Sequence, residues 1–559
     1  MEFLDARRLT GPNLLFDEPA AILDVCCDAA EADALVPVWM DHVARMLEAL
    51  DWPSARFGFR RQQGGVSLAF TAPIDALYAA TAINEWAWTA SAHALGAGDA
   101  APDFDATLAD IRKAAAEEEN VELMWLADEA AEHGATLLWD DDFVSLGLGT
   151  GSRTWPARQI PDAIHWEHFH DIPVGIVTGT NGKTTTVRLA QHILRAGGRA
   201  VGVSSTDWIS VDDRILDRGD WSGPGGARNV LRERDVEVAI LETARGGLLR
   251  RGLAVQRADA ALITNISADH LGDFGSRDLD ELLAIKWIVS RAVAASGKLV
   301  LNADDPRLVA QAADYAGEIV WFTLNPDNNV ATTHVAAGGT AFVLDDGQLC
   351  VLSAAGSRTL CAASDIPIAL GGAAKHNVAN ALAAAALTWS LGATDAAIRA
   401  GLTTMRQEEN PGRCNIYTLG DRRIVVDFAH NPAAMRALFD IARALPARRR
   451  ILCFGQAGDR PDDLIRELAR DAWSIGLDRV IVSELAAYYR GRGPGEVHAV
   501  IRDELLRLGA ADADILHFDE ELDSLQCAID WAEPGDLIIM LALGGSLAVQ
   551  ERLKALGAE

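Results

Sequence analysis

Cysteine, long apolar runs and basic charge are all in short supply in this sequence, and each shortage excludes a class of protein. The seven cysteines (Cys26, Cys27, Cys350, Cys361, Cys414, Cys453 and Cys527) are odd in number, scattered and never spaced as CxxC. That argues against a disulfide framework or a structural zinc site and for a reducing compartment. The longest alanine-rich run, ANALAAAA at 379–386, is too short and too polar at its edges to span a bilayer, which takes about 20 apolar residues. The opening MEFLDARRLTGPN lacks the apolar stretch of a secretory signal. Basic residues number 50 against 80 acidic ones, a formal charge of −30. Such a chain repels nucleic acid and anionic membrane unless a local basic patch overrides the field. The expectation is a cytoplasmic protein whose partners are neither nucleic acid nor membrane.

What is present is ample for folding. Apolar residues make up 49% of 559, material for about three or four domains. Eight of the fifteen tryptophans fall in the first 170 residues (Trp39, Trp52, Trp86, Trp88, Trp125, Trp139, Trp155 and Trp166), amid mainly helical periodicity. They read as core residues of an α+β domain. A Gly/Arg/Pro-rich connector, LGLGTGSRTWPARQIPD, follows, and His165, His168 and His170 after it read as solvated linker rather than metal site. From Ile172 short apolar runs (VGIVTG, VEVAILET, ADAALITNI, KLVLNADD) alternate with helical stretches, the pattern of a parallel α/β sheet. Pieces between Val320 and Pro367 suggest an antiparallel flap, and a second, Rossmann-like α/β unit starts near Gly412. The expected domains are 1–170, 171–410 and 411–559.

The strongest local feature is VGIVTGTNGKTTTVRLAQHIL, an apolar strand running through Gly179, Thr180, Asn181, Gly182, Lys183, Thr184 and Thr185 into an amphipathic helix. Glycines let backbone N–H groups wrap phosphate oxygens, and the helix start adds its dipole. Lys183 can neutralise β/γ-phosphate charge and Thr184 can ligate Mg²⁺. A strict phosphate-loop pattern has glycine at 177, where this chain has Val177. No GxGxxG follows a strand and no NKxD motif is found, which disfavours a dinucleotide oxidoreductase and a GTPase switch.

The variant loop TGTNGKTT resembles that of the Mur ligase superfamily of ATP-dependent amide ligases, and later motifs follow in that family's order. LETARGG places Glu242 at a strand end, TNISADHL places Asn265 and His270 after the next strand, and AIKWIV supplies Lys286. The resemblance implies ATP and Mg²⁺ as cofactors, with Thr184, Glu242, His270 and a carbamylated Lys286 around the metal. GGAAKHNVANALAA resembles the family's adenine-side helix start, giving His376, Asn377 and Asn380. NPGR (Arg413) and DFAHNP (Asp427, His430) resemble the motifs that close over the nucleotide. The run LETARGGLLRRGL, together with GDRPDDLIRELA, YYRGRGPGE and LTGPNLLFDEPAAILDV, is similar to the cyanophycin synthetases. Those enzymes carry an ATP-grasp domain ahead of the Mur-like one; here the connector leads almost directly into the latter, so that domain is expected to be absent. The implied half-reaction joins an amine, arginine in those enzymes, to an aspartate side chain. Dimerisation through the Mur-like domain is a further implication.

An amide ligase phosphorylates a carboxylate, and an amine then displaces phosphate through a tetrahedral intermediate. Both steps gather negative oxygens, which explains the lysines and the metal site. Arg245, directly after Glu242, suits an anionic acid substrate, and Arg490, Arg492 and Glu484 are weaker candidates for selecting the amine. The expected catalytic set is Lys183, Glu242, His270, Lys286 and Arg245, with a small-molecule or peptide carboxylate acceptor and an amine as substrates. The alternatives are a Mur-type ligase for an unrelated peptide or natural product, and a nucleotide-binding regulator that has lost ligation.

Overall fold

The computed structural model describes residues 1–52, 55–62, 64–98, 100–269 and 278–559. The centre is an eleven-stranded sheet. Its heart is strand Val174–Thr178, whose five residues are all buried, as expected of a strand covered by helices on both faces. Strands Val238–Glu242 and Ala258–Ile263 flank it in parallel, with Glu242 opposite Val177 and Ile263 opposite Thr178. That register brings the loops after Thr178, Glu242 and Ile263 to one edge, where α/β sheets bind ligands. On one face lies helix Lys375–Ser390, whose run from Ala381 to Leu387 is wholly buried. Its small side chains let the helix come close to the sheet.

The pieces read as a flap are instead the far side of this sheet. Strand Glu318–Thr323 pairs in parallel with Thr340–Asp345, through the helix Asn329–Ala336. Strands Gln348–Ser353 and Gly356–Ala362 then continue it antiparallel. Asp346 and Gly347, at φ 43° and 75°, make the tight turn that reverses the chain.

The last unit is a six-stranded sheet in the order Asn415–Leu419, Arg422–Asp427, Leu537–Leu541, Arg450–Phe454, Arg479–Ser483 and Ile515–Phe518. Only its first pair is antiparallel.

The first unit is less helical than its periodicity suggests. Strands Glu2–Leu9, Ala20–Cys26, Gly65–Thr71 and Phe57–Gln62 form an antiparallel sheet in that order, against which helices Ala29–Ala49 and Leu77–Ala94 pack. Trp39 and Trp86 are buried there, and Trp39 Nε1 donates to the buried Asn84 Oδ1 at 2.8 Å. The other six tryptophans are half-buried or, like Trp125, exposed. Between helix Val121–His133 and strand Val174–Thr178 lies only a small sheet, Leu137–Trp139, Phe143–Leu146 and Arg153–Pro156, and two short turns of helix, Gly149–Gly151 and Trp166–His168. No ATP-grasp domain occupies that stretch. The His165 and His168 rings stand 5.7 Å apart and His170 meets Thr150 at 3.2 Å. Among the described residues no helix is long and apolar enough to cross a membrane.

Candidate active site

The phosphate loop is held open by glycine and by its neighbours. Gly179 (φ 140°) lies against Thr264, and a Cβ there would sit 1.8 Å from Thr264 Oγ1. Gly182 (φ 85°) starts helix Lys183–Ala196, and its Cβ would sit 2.2 Å from Asn380 Oδ1. Neither position admits a side chain. The loop after Ile263 laces to the phosphate loop: Thr180 N donates to Asn265 O at 2.9 Å, Asn181 N to Asn265 Oδ1 at 3.1 Å, and Thr264 Oγ1 to Asn181 O at 2.7 Å. The first N–H groups of a helix lack intrahelical acceptors, so this rigid cradle suits an anion.

Glu242, 1% exposed, ends its strand beside the cradle. Its Oε1 accepts from Thr184 Oγ1 at 3.2 Å and from Thr206 Oγ1 at 2.7 Å, and its Oε2 accepts from Thr206 N at 3.3 Å. A carboxylate next to a hydroxyl at a phosphate-binding loop is the sparse oxygen set that Mg²⁺ accepts while keeping waters and phosphate oxygens. These residues fit the metal. His270 lies outside the described residues.

Lys286, 3% exposed, sits on helix Leu279–Trp287, and its Nζ donates to Gly179 O at 2.7 Å. Burial pushes its pKa well below the usual lysine value; Lys183 pushes the same way, while Asp269 opposes. Lys183 Nζ donates to Thr180 O at 2.9 Å. Arg245 begins the short helix Arg245–Arg251, which packs against the Lys286 helix. Lys183, Thr184, Glu242, Lys286 and Arg245 thus converge on one edge of the sheet.

The C-terminal unit meets the cradle. Asn181 and Asn431 exchange side-chain amide bonds at 3.2 and 2.9 Å. Asp269 receives His430 Nε2 at 3.2 Å and Arg460 Nη2 at 3.1 Å. Asp427 accepts from Cys414 N at 2.6 Å and Ala429 N at 2.7 Å, so its carboxylate shapes the loop that carries His430; burial raises its pKa. Arg413 stacks over Phe428 at 4.6 Å and lies 3.5 Å from Asp207. Arg188, from the phosphate-loop helix, bonds Asp207, Asn410 Oδ1 (3.1 Å) and Pro411 O (3.3 Å), which ties that helix to the linker between the two units. Burial pulls the Arg188 pKa down to about 10.

Asn377 and Asn380 bond each other at 3.2 Å beneath Gly182. His376 is half-buried, and burial pushes its pKa down to about 4. It is therefore neutral across the physiological range. The unfolded histidine takes its proton near pH 6.5 and the folded one only near 4, so the unfolded state binds more protons between those values. Stability contributed by neutral His376 is full above about pH 6.5 and is lost as pH falls toward 4. We expect the Tm of His376→Gln to fall less between pH 7 and 5 than that of the parent; parallel Tm curves from differential scanning calorimetry would contradict this.

Candidates farther off behave differently. Arg490 pairs with Asp459 at 2.5 Å and Arg492 with Asp462 at 2.7 Å, pinning two loops together. Glu484 is buried and accepts from His517 at 2.6 Å and Gly495 N at 3.0 Å. Thr206, Asp269 and Arg460 were missed by sequence reasoning. Asp269 and Arg460 stand inside quoted motifs, SADH and GDRP, so a signal existed; Thr206 had none.

Residues 177–388 match the Mur ligase middle domain and residues 412–544 the Mur ligase glutamate ligase domain. The cyanophycin synthetase of a Synechocystis strain is 38% identical over 68% of this chain and 43% of its own length. That of Crocosphaera subtropica is 36% identical over 66% and 42%. The chain therefore spans less than half the length of these relatives. The structure of Escherichia coli FolC with DHPP and ADP is 21% identical, covers 68% of this chain and 89% of its own, and aligns with a TM-score of 0.49. With both catalytic domains matched in order and their loops converging on one cradle, the chain belongs to the Mur ligase family.

Proposed function

We propose that this protein is an ATP-dependent, ADP-forming amide ligase that activates a carboxylate as an acyl phosphate and joins it to an amine. The finer reading is arginine, or a similar amino acid, joined to an aspartate side chain. The convergence of Lys183, Thr184, Glu242 and Lys286 at the mouth of the phosphate loop carries the proposal.

In this reading the loop from Gly179 to Thr185 holds the triphosphate, and Lys183 balances the charge that builds as the γ-phosphoryl group leaves. His376, Asn377 and Asn380 lie on the adenine side. Thr184, Glu242, His270 and the carbamate of Lys286 would hold Mg²⁺, which when bound polarises the phosphate oxygens. Arg245 orients the acid substrate by pairing with its carboxylate. Arg413, Asp427 and His430 order the C-terminal unit over the nucleotide, and the Asn181–Asn431 and Asp269–Arg460 contacts hold that unit against the cradle, which keeps water from the acyl phosphate. The acid is deprotonated, its oxygen takes the γ-phosphoryl group with ADP leaving, and the amine then displaces phosphate and sheds a proton.

The test is phosphate release from ATP and Mg²⁺ over a matrix of aspartate-containing peptides, β-linked ones included, crossed with arginine, lysine and other amines. We expect release that needs both an acid and an amine, with a product lighter than their sum by one water. Nucleotide binding without release for any pair would favour the regulatory alternative.

A further inference from the structure

The stretch after Glu242 cannot hold itself in place. Helix Arg245–Arg251 has seven residues, two of them glycine, far below the length at which an isolated helix is stable. The C-cap Gly252 N–H closes on Leu248 O, but Leu249 O and Arg251 O take their donors from the first unit of the chain. Arg7, its side chain 9% exposed, donates through Nε and Nη2 to Leu249 O at 3.3 and 3.4 Å, while Nη1 is held by Asp24 at 2.6 Å. Thr10 N donates to Arg251 O at 2.8 Å, and Leu253 N donates back to Pro12 O at 2.8 Å. The approach is close enough that a Cβ on Gly11 would lie 2.2 Å from Leu253 O.

The same N-terminal sheet reaches the Lys286 helix. Arg60 Nη1 lies 3.8 Å from Glu281 Oε1. Just beyond that helix, Arg291 donates to Asn13 O and pairs with Asp17 at 2.9 Å. The phosphate-loop helix Lys183–Ala196 is supported otherwise, by helices Lys375–Ser390 and Asp395–Thr404. The segments carrying Arg245 and Lys286 share the central domain's core through Leu248, Leu249, Leu282 and Ile285, and the N-terminal sheet adds polar contacts to both.

We propose that Arg7 and Arg60 are positioning residues through which the N-terminal sheet sets the spacing of Glu242, Arg245 and Lys286. A cation at a helix C-terminus is favoured by the helix dipole, and Arg7 also supplies two donors to one orphan carbonyl. Misplacing catalytic groups by about 1 Å costs roughly 10²-fold in rate, so a loosened support should act on turnover more than on binding. The turnover part of this proposal rests on the ligase reading above; the structural part does not.

The test compares hydrogen exchange and steady-state ligation in the full chain and in variants, all with an ATP analogue or ATP and Mg²⁺. Arg7→Met with Asp24→Asn removes the grip while leaving no unpaired buried carboxylate. Arg60→Met loosens the second contact at a partly exposed site, and keeps the question answerable if the double variant does not fold. Asp24→Asn alone, which keeps Arg7 on Leu249, is the control. We expect exchange in Arg245–Leu253 (double variant) and Leu279–Trp287 (Arg60→Met) to rise roughly tenfold, with Lys183–Ala196 unchanged. We expect kcat to fall roughly 10- to 100-fold with the KM for ATP unchanged. Unchanged exchange in both segments would overturn the proposal; a raised KM for the acid with kcat intact would assign the sheet to acceptor binding instead. If the parent chain turns over no substrate pair, the exchange result still decides, so the two readings fail separately.

Discussion

Lys183→Met should abolish ADP formation while leaving the protein folded. Lys183 is the phosphate loop's own cation, and its Nζ donates to Thr180 O at 2.9 Å, within the loop that cradles the phosphates. Methionine keeps the aliphatic stem and removes only the charge. Losing one preorganised donor to a developing anion costs about 10²–10³ in kcat, and here a full charge goes with it, so turnover should fall by at least that factor. The loss has a second route: Lys183 helps to hold down the Lys286 pKa, so removing it leaves Lys286 more readily protonated. ADP release by coupled assay, with far-UV circular dichroism as the folding control, decides the matter. A variant that retained even half the parent's turnover would remove Lys183 from the mechanism.

How much of this was legible in advance depended on how far apart the partners lie in sequence. The phosphate loop was readable because its demands are local: a buried strand, two glycines at positive φ and a helix start within a few residues. Glu242 was readable as the polar end of an apolar strand. Thr206 was not, because its role exists only through Glu242, 36 residues away; Asp269 and Arg460 stood inside SADH and GDRP, but their pairing, across 191 residues, did not show there. Strand Glu2–Leu9 was invisible for a related reason: Asp5, Arg7 and Arg8 look like surface loop until Asp24 is seen to neutralise Arg7 across the sheet at 2.6 Å. The supposed flap failed on its connection. Helix Asn329–Ala336 has only eight residues and buries just Ala331, so the crossover that makes Thr340–Asp345 parallel to Glu318–Thr323 left no amphipathic helical signature. The Rossmann-like C-terminal unit was easier, since its strands centre on the apolar runs IVV, ILCF, VIV and LIIML, of the kind parallel strands require.

Lys286 sets function against stability, and the two should separate on substitution. Its pKa lies well below the ordinary lysine value because the side chain is buried and Lys183 is near. The unfolded lysine therefore holds a proton, below about pH 10.4, that the folded one has given up above its own lowered pKa. Stability consequently rises with pH across that window, and at neutral pH the buried amine is a net cost. Lys286→Met should raise the Tm of the nucleotide-free protein and flatten its rise with pH below about 10.4. Ligation should fall by at least 10²-fold in the same variant. The neutral amine is the form that adds CO₂: the N–C bond forms, one proton leaves, and a buried neutral amine becomes an anionic, carboxylate-like oxygen ligand next to Glu242. Activity of the parent should therefore depend on dissolved CO₂ and drop as pH falls through the folded lysine pKa, and short carboxylic acids such as formate should partly restore an alanine variant. Carbon-13 bicarbonate gives the independent readout, a carbamate resonance present in the parent and missing in Lys286→Met. A methionine variant that keeps its turnover, or a parent without that resonance that still ligates after CO₂ is removed, would leave Lys286 as a buried amine donating to Gly179 O and nothing more.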